Sequence, residues 1–237
     1  MVLCNIQTSV LIGADYMKQQ ATTKNRILDT AELLFAARGF KATSLRAITT
    51  AAGVNLASVN YHYGDKKGLI RAVLSRYLEQ FMPALEMELV TLHQRDEFSM
   101  EEVFFCAKQP LLTLDTCKAN GTTIFMSLLG RGYTDVQGHL RWFITTHYDE
   151  VIQLFISAVR RAHPCLDPET LFWRLHFTLG AAVFTMASST ALCEIAANDF
   201  SNQIQIDDLI NRLVPYLAAG VAAPIELNQS FVVNISG

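Results

Sequence analysis

The stretch from Thr23 to Lys66 constrains this chain more than any other, because glycines and small polar residues cut its apolar periodicity into short pieces of defined length. Ile27, Ala31, Leu34 and Phe35 recur at i, i+4, i+7 and i+8, one stripe of an amphipathic helix from Thr23 to Arg38. Gly39 then supplies a left-handed residue to close it, and Phe40 tucks back. The spacing predicts a second short helix that Thr43 or Ser44 caps, that carries Leu45, Ile48 and Ala51, and that stops at Gly53. Asn55 is placed to cap a third, Leu56 to His62, and Asp65 a fourth with Leu69, Val73 and Tyr77 at i, i+4 and i+8.

Helix, glycine turn, helix is the helix-turn-helix arrangement, in which the first helix braces the second and the second offers its N-terminal side chains to a major groove. Leu56 and Val59 are expected to face inward. Ser58, Asn60, Tyr61 and His62 are then left outward, where they suit phosphate oxygens, base edges and thymine methyls. Lys66 falls in the first turn of the fourth helix, placed with the free N–H groups there to hold a phosphate.

The overall charge opposes that reading only until it is divided. The 237 residues hold 19 Lys+Arg against 22 Asp+Glu, a formal net charge of −3. Up to residue 80 the count is ten against five, or +5; from residue 81 it is nine against seventeen, or −8. A basic head therefore precedes a larger acidic body. No Pro/Gly/Ser-rich linker separates them, so a continuous helix is expected at the junction. With 51% hydrophobic and 17% charged residues the chain can bury a core and is not a disordered one, and 12 Gly and 5 Cys exclude collagen-like and disulfide-scaffold classes.

The body reads as all-α. Candidate helices cover Met100–Leu114, Thr122–Arg131, His139–His163, Pro168–Ala197 and Asp207–Ala219, with breaks near Pro110, Gly121, Gly138 and Pro164. From Leu175 to Cys193 there is no Asp, Glu, Lys or Arg, which is just long enough for a membrane span. His176, four Thr or Ser side chains from Thr178 to Ser189, and the absence of flanking Lys/Arg clusters favour a buried helix instead. Gly180, Ala181, Ala182, Ala187, Ser188 and Ala191 are small enough for close helix approach. Arg160-Arg161 beside Asp149-Glu150 reads as a solvated helix face.

The segment Met1–Met17 has Asp15 as its only formal side-chain charge and lacks the basic start of a secretory signal, so a cytoplasmic location is expected. Met17 is a second candidate start, residues 1–16 then being an extension. Cys4, Cys106, Cys117, Cys165 and Cys193 are odd in number and form no C-x-x-C pair, as expected of reduced thiols. The sequons at Asn120, Asn228 and Asn234 carry no meaning in an unsecreted chain. No G-x-S-x-G, G-x-G-x-x-G or Walker sequence is present, and no H-E-x-x-H accompanies His139, His147, His163 or His176. No enzyme, catalytic residue, metal or cofactor is expected.

The run Arg26 to Phe40, then Thr43-Ser-Leu-Arg-Ala-Ile48, Ala52-Gly-Val54 and Tyr61-His-Tyr-Gly-Asp-Lys66, resembles the DNA-binding domain of the TetR family of one-component repressors. Gly53 to Lys67, Leu128-Leu-Gly-Arg131, Gly138-His-Leu140 and Leu171 to Phe177 resemble its PsrA subgroup, whose members respond to long-chain fatty acids. The resemblance implies that Thr43 and Arg46 lie near the DNA backbone, that Ala57, Ser58, Asn60 and Tyr61 lie near bases or phosphates, and that His62 and Lys66 lie on phosphates. Ser44 and Asn55 join them as helix caps at the same surface. Where the family commonly has Tyr-Tyr-His-Phe, this chain has Asn60-Tyr61-His62-Tyr63, which offers Asn60 to a base. The resemblance further implies a homodimer on a palindromic operator, paired through a four-helix bundle of its last long helices.

The expected organisation is therefore an extension at 1–21, a helix-turn-helix domain at 22–82, a ligand-binding and dimerisation domain at 83–223 and a tail at 224–237. An apolar effector, a fatty acid or acyl-CoA, would lie among Phe104, Phe125, Met126, Leu129, Arg131, Trp142, Tyr148, Trp173, His176 and Phe177. Arg131, His139, Arg141, Arg174 and His176 are the candidates for its head group. For any one aromatic side chain the alternative is ordinary core packing. The alternative for the whole is a repressor of efflux or detoxification genes answering to a different apolar molecule; an enzyme without a legible motif ranks below both.

Overall fold

The computed structural model describes residues 22–135, 137–201 and 203–224, and among these the side chains of all but residues 117, 133–135 and 137–141. The proposed extension, most of the proposed tail, Cys4, Met17, Asn228 and Asn234 lie outside the described residues, as do the side chains of His139 and Arg141. All regular structure among the described residues is helical. Helix α1 covers 22–38. It is followed by α2 (Leu45–Ala52), α3 (Leu56–Tyr63), α4 (Lys66–His93), α5 (Met100–Phe105), α6 (Lys108–Cys117), α7 (Gly121–Asp135), α8 (Gln137–His147), α9 (Asp149–Ala162), α10 (Pro168–Ala187), α11 (Ser189–Phe200) and α12 (Ile206–Ala222).

The head closes as its caps dictate. Gly39 (φ 82°) and Gly53 (φ 63°) occupy the left-handed region, where a side chain would be strained. The Phe40 ring returns to within 5.0 Å of Phe35, and both are buried. Ser44 Oγ accepts the Ala47 N–H (3.1 Å), Asn55 Oδ1 the Ser58 N–H (2.9 Å) and Asp65 Oδ1 the Gly68 N–H (2.7 Å), which starts α2, α3 and α4 in turn. Ile27, Ala31, Phe35, Ile48, Val59, Leu69 and Val73 form the core between these helices.

Helix α4 runs unbroken from Lys66 to His93, past the point where the charge changes sign, and Pro83 sits on its exposed side. In the body α10 packs against α7 and α12, α4 against α6 and α9, and α5 against α12 and α9. Arg161 in α9, exposed as a solvated face would require, nonetheless anchors the far end of α4. It donates to the carbonyls of His93 (3.1 Å) and Arg95 (2.8 Å) and lies 4.6 Å over the Phe98 ring.

Two helices expected to be continuous are divided, and the break expected near Pro110 falls a few residues earlier. Met100–Leu114 separates into α5 and α6 at Cys106–Ala107, three residues ahead of Pro110, because a proline is tolerated in the first turn of a helix and not in its interior. His139–His163 breaks at Tyr148 (φ −131°, ψ 26°), just after the His147 ring packs 4.6 Å from Phe143. Pro168–Ala197 bends by 70° at Ser188, between α10 and α11. Ser189, beyond the bend, is buried and lies 3.1 Å from the Thr123 hydroxyl of α7, which draws α11 off the α10 axis.

That bend also corrects the reading of residues 175–193 as one buried helix. Phe177 is 68% and Phe184 66% exposed, since α10 covers only its α7 and α12 sides within the chain. Among the described residues no single helix is long and apolar enough to cross a membrane, and α10 with α11 reaches the length only as a bent pair. Gly180 has no atom near its missing Cβ, whereas Gly130 of α7 would place one 2.6 Å from Val183, so the close approach lies there.

Candidate nucleic-acid interface

The site is a surface assembled from three helices. Arg26 of α1 clamps the turn between α2 and α3, donating to the Ala52 carbonyl through Nε (3.2 Å) and Nη2 (2.8 Å) and to the Gly53 carbonyl (3.0 Å). These carbonyls end α2 and have no intrahelical donor, so the guanidinium fixes the angle at which α3 leaves. Tyr63 closes α3 from its other end, its hydroxyl donating to the Lys24 carbonyl at 2.7 Å. Burial pushes its pKa up to about 12, so it stays a donor at any working pH. Gly68 is held under this joint: a Cβ there would lie 2.0 Å from the Tyr63 carbonyl oxygen.

On that frame α3 turns Val59 fully inward and leaves Ala57, Asn60 and Tyr61 exposed, Tyr61 at 71%. Ser58 and His62 are half-buried, with the His62 ring 5.0 Å from that of Tyr61. Leu56 does not face inward as expected. It is 49% exposed, whereas Val59 is fully buried. Ser44 and Arg46 of α2 are exposed on the same head, and Lys66 is half-buried at the start of α4.

Three of the predicted contacts are occupied within the chain. Thr43 is 1% exposed and its hydroxyl donates to the Gly39 carbonyl (2.8 Å), so it ties the α1–α2 turn and offers nothing to a phosphate. Asn55 Oδ1 serves as cap and also accepts from Ser58 Oγ (3.0 Å), which commits both groups to the start of α3. Sequence reasoning passed over Arg26, Tyr63 and Gly68. Arg26 and Tyr63 lay inside the quoted family runs and Gly68 just past one, but only the fold shows which carbonyl each meets.

The ten residues proposed to hold an effector are spread over separate places. Phe125 stacks at 5.7 Å on Tyr77 and lies 5.5 Å from Phe81, while Phe104 packs edge-on against Phe155 at 5.7 Å. Met126 is buried, Leu129 and Tyr148 are partly so, and Arg131 and Trp142 are exposed. Trp173 and Phe177 stack on each other at 6.0 Å on the outer side of α10, and His176 lies against Phe172. Arg174 is taken up in closing α12, donating to the carbonyls of Val221 and Ala223 at 2.6 Å. Two surface grooves among the described residues, of about 500 Å³ and 350 Å³, touch none of the ten. The first is lined by Gln153, Ile156, Ser157, Arg160, Arg161 and Pro164, and the second by Asp29, Arg76, Tyr77, Gln80, Leu114 and Lys118.

An exposed, capped recognition helix braced by a second short helix, on an all-helical body, defines a helix-turn-helix regulator. Residues 27–73 match the bacterial regulatory proteins of the tetR family, and residues 106–220 match the tetracyclin repressor-like C-terminal domain. The chain is a TetR family transcriptional regulator, of a family of DNA-binding regulators and not of enzymes. It is similar to the "Probable HTH-type transcriptional regulator YttP" of Bacillus subtilis, 36% identical over 67 residues, 28% of this chain and 32% of that protein. The chain thus spans about a third of that relative's length. The icaADBC negative transcriptional regulator IcaR of Staphylococcus epidermidis is 22% identical over 183 residues, 76% of this chain and 94% of that protein. A TetR-like transcriptional regulator from Rhodococcus sp. RHA1 has the same fold, with a TM-score of 0.54 and 19% identity over 86% of this chain and 98% of that one.

Proposed function

We propose that this regulator is a repressor that binds a palindromic operator as a homodimer and is released by a long-chain fatty acid or acyl-CoA. The observation that carries the DNA reading is the outer row of α3: Ala57, Asn60 and Tyr61 stand clear of the head on a helix fixed at both ends by Asn55 and Tyr63. Asn60 has the donor–acceptor pair suited to an adenine edge, and exposed Leu56 an apolar group for a thymine methyl. Arg46, His62 and Lys66 are the phosphate contacts of this reading, which makes binding strongly salt-dependent. Repression is supported by the name of the Staphylococcus relative, a negative regulator.

Pairing is supported by the outer face of α10 and α11. Phe172, Trp173, Phe177, Phe184, Ile195 and Phe200 are all more than 40% exposed, an apolar surface of the kind homodimers cover. A second subunit there supplies the second head that a two-fold operator needs. The acyl effector rests on the subgroup resemblance and the apolar body. It acts by preferring the spacing of heads that does not fit the operator, since equal affinity for both spacings shifts nothing.

The test begins with DNA fragments selected from a random pool by the whole chain. Lys66→Ala weakens binding across all of them with a shallower salt dependence, and Asn60→Ala changes discrimination between base pairs. If gel-shift titration finds neither effect, the surface is misassigned. Thermal shift with oleate and oleoyl-CoA raises the melting temperature; a rise with aromatic drugs alone would transfer the effector to the efflux class.

A further inference from the structure

Glu32 of α1 is a charged side chain with no solvent exposure at all. A carboxylate so placed is costly unless cations and hydrogen bonds surround it. Its two oxygens go to two different helices: Oε2 accepts from Arg76 Nη1 of α4 at 2.8 Å, and Oε1 accepts from Nζ of Lys118, the residue that ends α6. Arg76 is shared with Asp29, 2.7 Å from the same nitrogen. The Tyr77 hydroxyl is buried beside Glu32, its ionisation held far above the usual range by burial and then by the charge of Glu32.

This cluster joins α1 of the head to the body. Arg76 belongs to the helix that both parts share, but Lys118 belongs to the body alone, 86 residues from Glu32 in sequence. If the head tilts away from α6, the carboxylate loses one of its two cations while still buried. The groove of about 350 Å³ opens beside Arg76 and Lys118, and the Lys118 side chain is 33% exposed, so space is present for that ammonium to withdraw. The tie is therefore stiff when made and can be broken without repacking a core.

We propose that Glu32, Arg76 and Lys118 are positioning residues for operator binding, fixing the angle of the head on the body and through it the separation of the two recognition helices in the dimer. The inference rests on the operator-binding reading above. It predicts a specific separation of function: the cluster controls the spacing between half-sites and leaves the bases read within each half-site to α3. One added base pair moves a half-site by about 3.4 Å and rotates it by about 35°, given a turn of 10–10.5 base pairs in 34–36 Å.

The experiment uses the full chain and palindromes built from its own selected sequence, with the half-site separation changed one base pair at a time. Wild type prefers one separation by about tenfold or more over its neighbours, as expected if a one-step change forfeits the contacts of one head. Lys118→Met lowers that preference to about twofold to threefold with the base preferences inside each half-site unchanged, and Lys118→Arg restores it. Glu32→Gln behaves as Lys118→Met does; if it fails to fold by circular dichroism, the half-exposed Lys118 position decides. Wild-type spacing preference in Lys118→Met overturns the inference, and so does an equal loss of base discrimination, which would mark a merely structural role. Failure of the wild type to select any DNA would instead remove the operator reading itself, and this inference with it.

Discussion

Replacing Gly68 by alanine sets two effects of opposite sign against each other. Within a helix the exchange of glycine for alanine is favourable by up to about 1 kcal/mol, because glycine loses more backbone entropy on folding. Here the new Cβ would stand 2.0 Å from the Tyr63 carbonyl oxygen and 3.2 Å from its carbon, both backbone atoms with no side chain to yield. Relief requires the α3–α4 joint to open by about 1 Å, and overpacking of this kind costs about 1–3 kcal/mol. The clash is severe enough to take the upper end, so Gly68→Ala is expected to lose about 2 kcal/mol net, or about 4–8 °C in melting temperature for a chain of this size. Gly220 in α12 is the control: no atom lies within 4 Å of its missing Cβ, and Gly220→Ala is expected to raise the melting temperature by about 2–4 °C. Both are read by circular dichroism at 222 nm at one protein concentration, since an associating chain melts higher when concentrated. If Gly68→Ala is as stable as wild type, the close approach of α4 to the end of α3 is not as described, and the placement of α3 loses its support.

Phe177→Glu with Phe184→Glu should shift sedimentation toward the monomer while leaving the helical spectrum intact; an unchanged sedimentation coefficient would remove the α10 face from the dimer reading. In thiol labelling followed by peptide mass spectrometry, exposed Cys165 should react rapidly and Cys106 slowly, because burial pushes the Cys106 pKa up to about 11 and leaves almost no thiolate at neutral pH. Equal rates would contradict the burial. At the start of α10, hydrogen bonds from Thr170 and Glu169 hold the Asp167 carboxyl below its usual range. Its contribution is therefore complete above the unfolded value near about 4 and fades as pH falls through the lower folded value. Asp167→Asn, which keeps a cap but does not titrate, should flatten the acid limb of a stability–pH curve, and an identical limb would refute the capping role.

The head was legible in the sequence because its instructions are local. Gly39, Gly53, Ser44, Asn55 and Asp65 each act on backbone groups within a few residues, so their positions alone marked the end of α1, both ends of α2 and the starts of α3 and α4. The body was less legible because its breaks answer to distant partners. Ser188 is neither glycine nor proline, and the bend there follows from Thr123, 66 residues from Ser189. The site shows the same division. That α3 would be presented could be read from spacing, but the withdrawal of Thr43 and the clamp by Arg26 depend on how α1 crosses α2. Glu32 looks like any solvent-facing acid until Lys118, far along the chain, is brought against it.

The position of Arg76 along α4 has a mechanical consequence. It lies ten residues from the helix start and seventeen from its end, or about 15 Å and about 25 Å at 1.5 Å per residue. With the Glu32–Arg76 contact as the pivot and the Glu32–Lys118 tie released, α4 becomes a lever whose shorter arm, under the operator reading proposed above, points toward the DNA. A tilt of about 5° that carries the His93 end through about 2 Å carries Lys66 through about 1.3 Å. That is a reduction gear: the body moves further than the head. Since a hydrogen bond of about 2.9 Å is largely lost when stretched by 1 Å, even the smaller displacement is enough to part a phosphate or base contact.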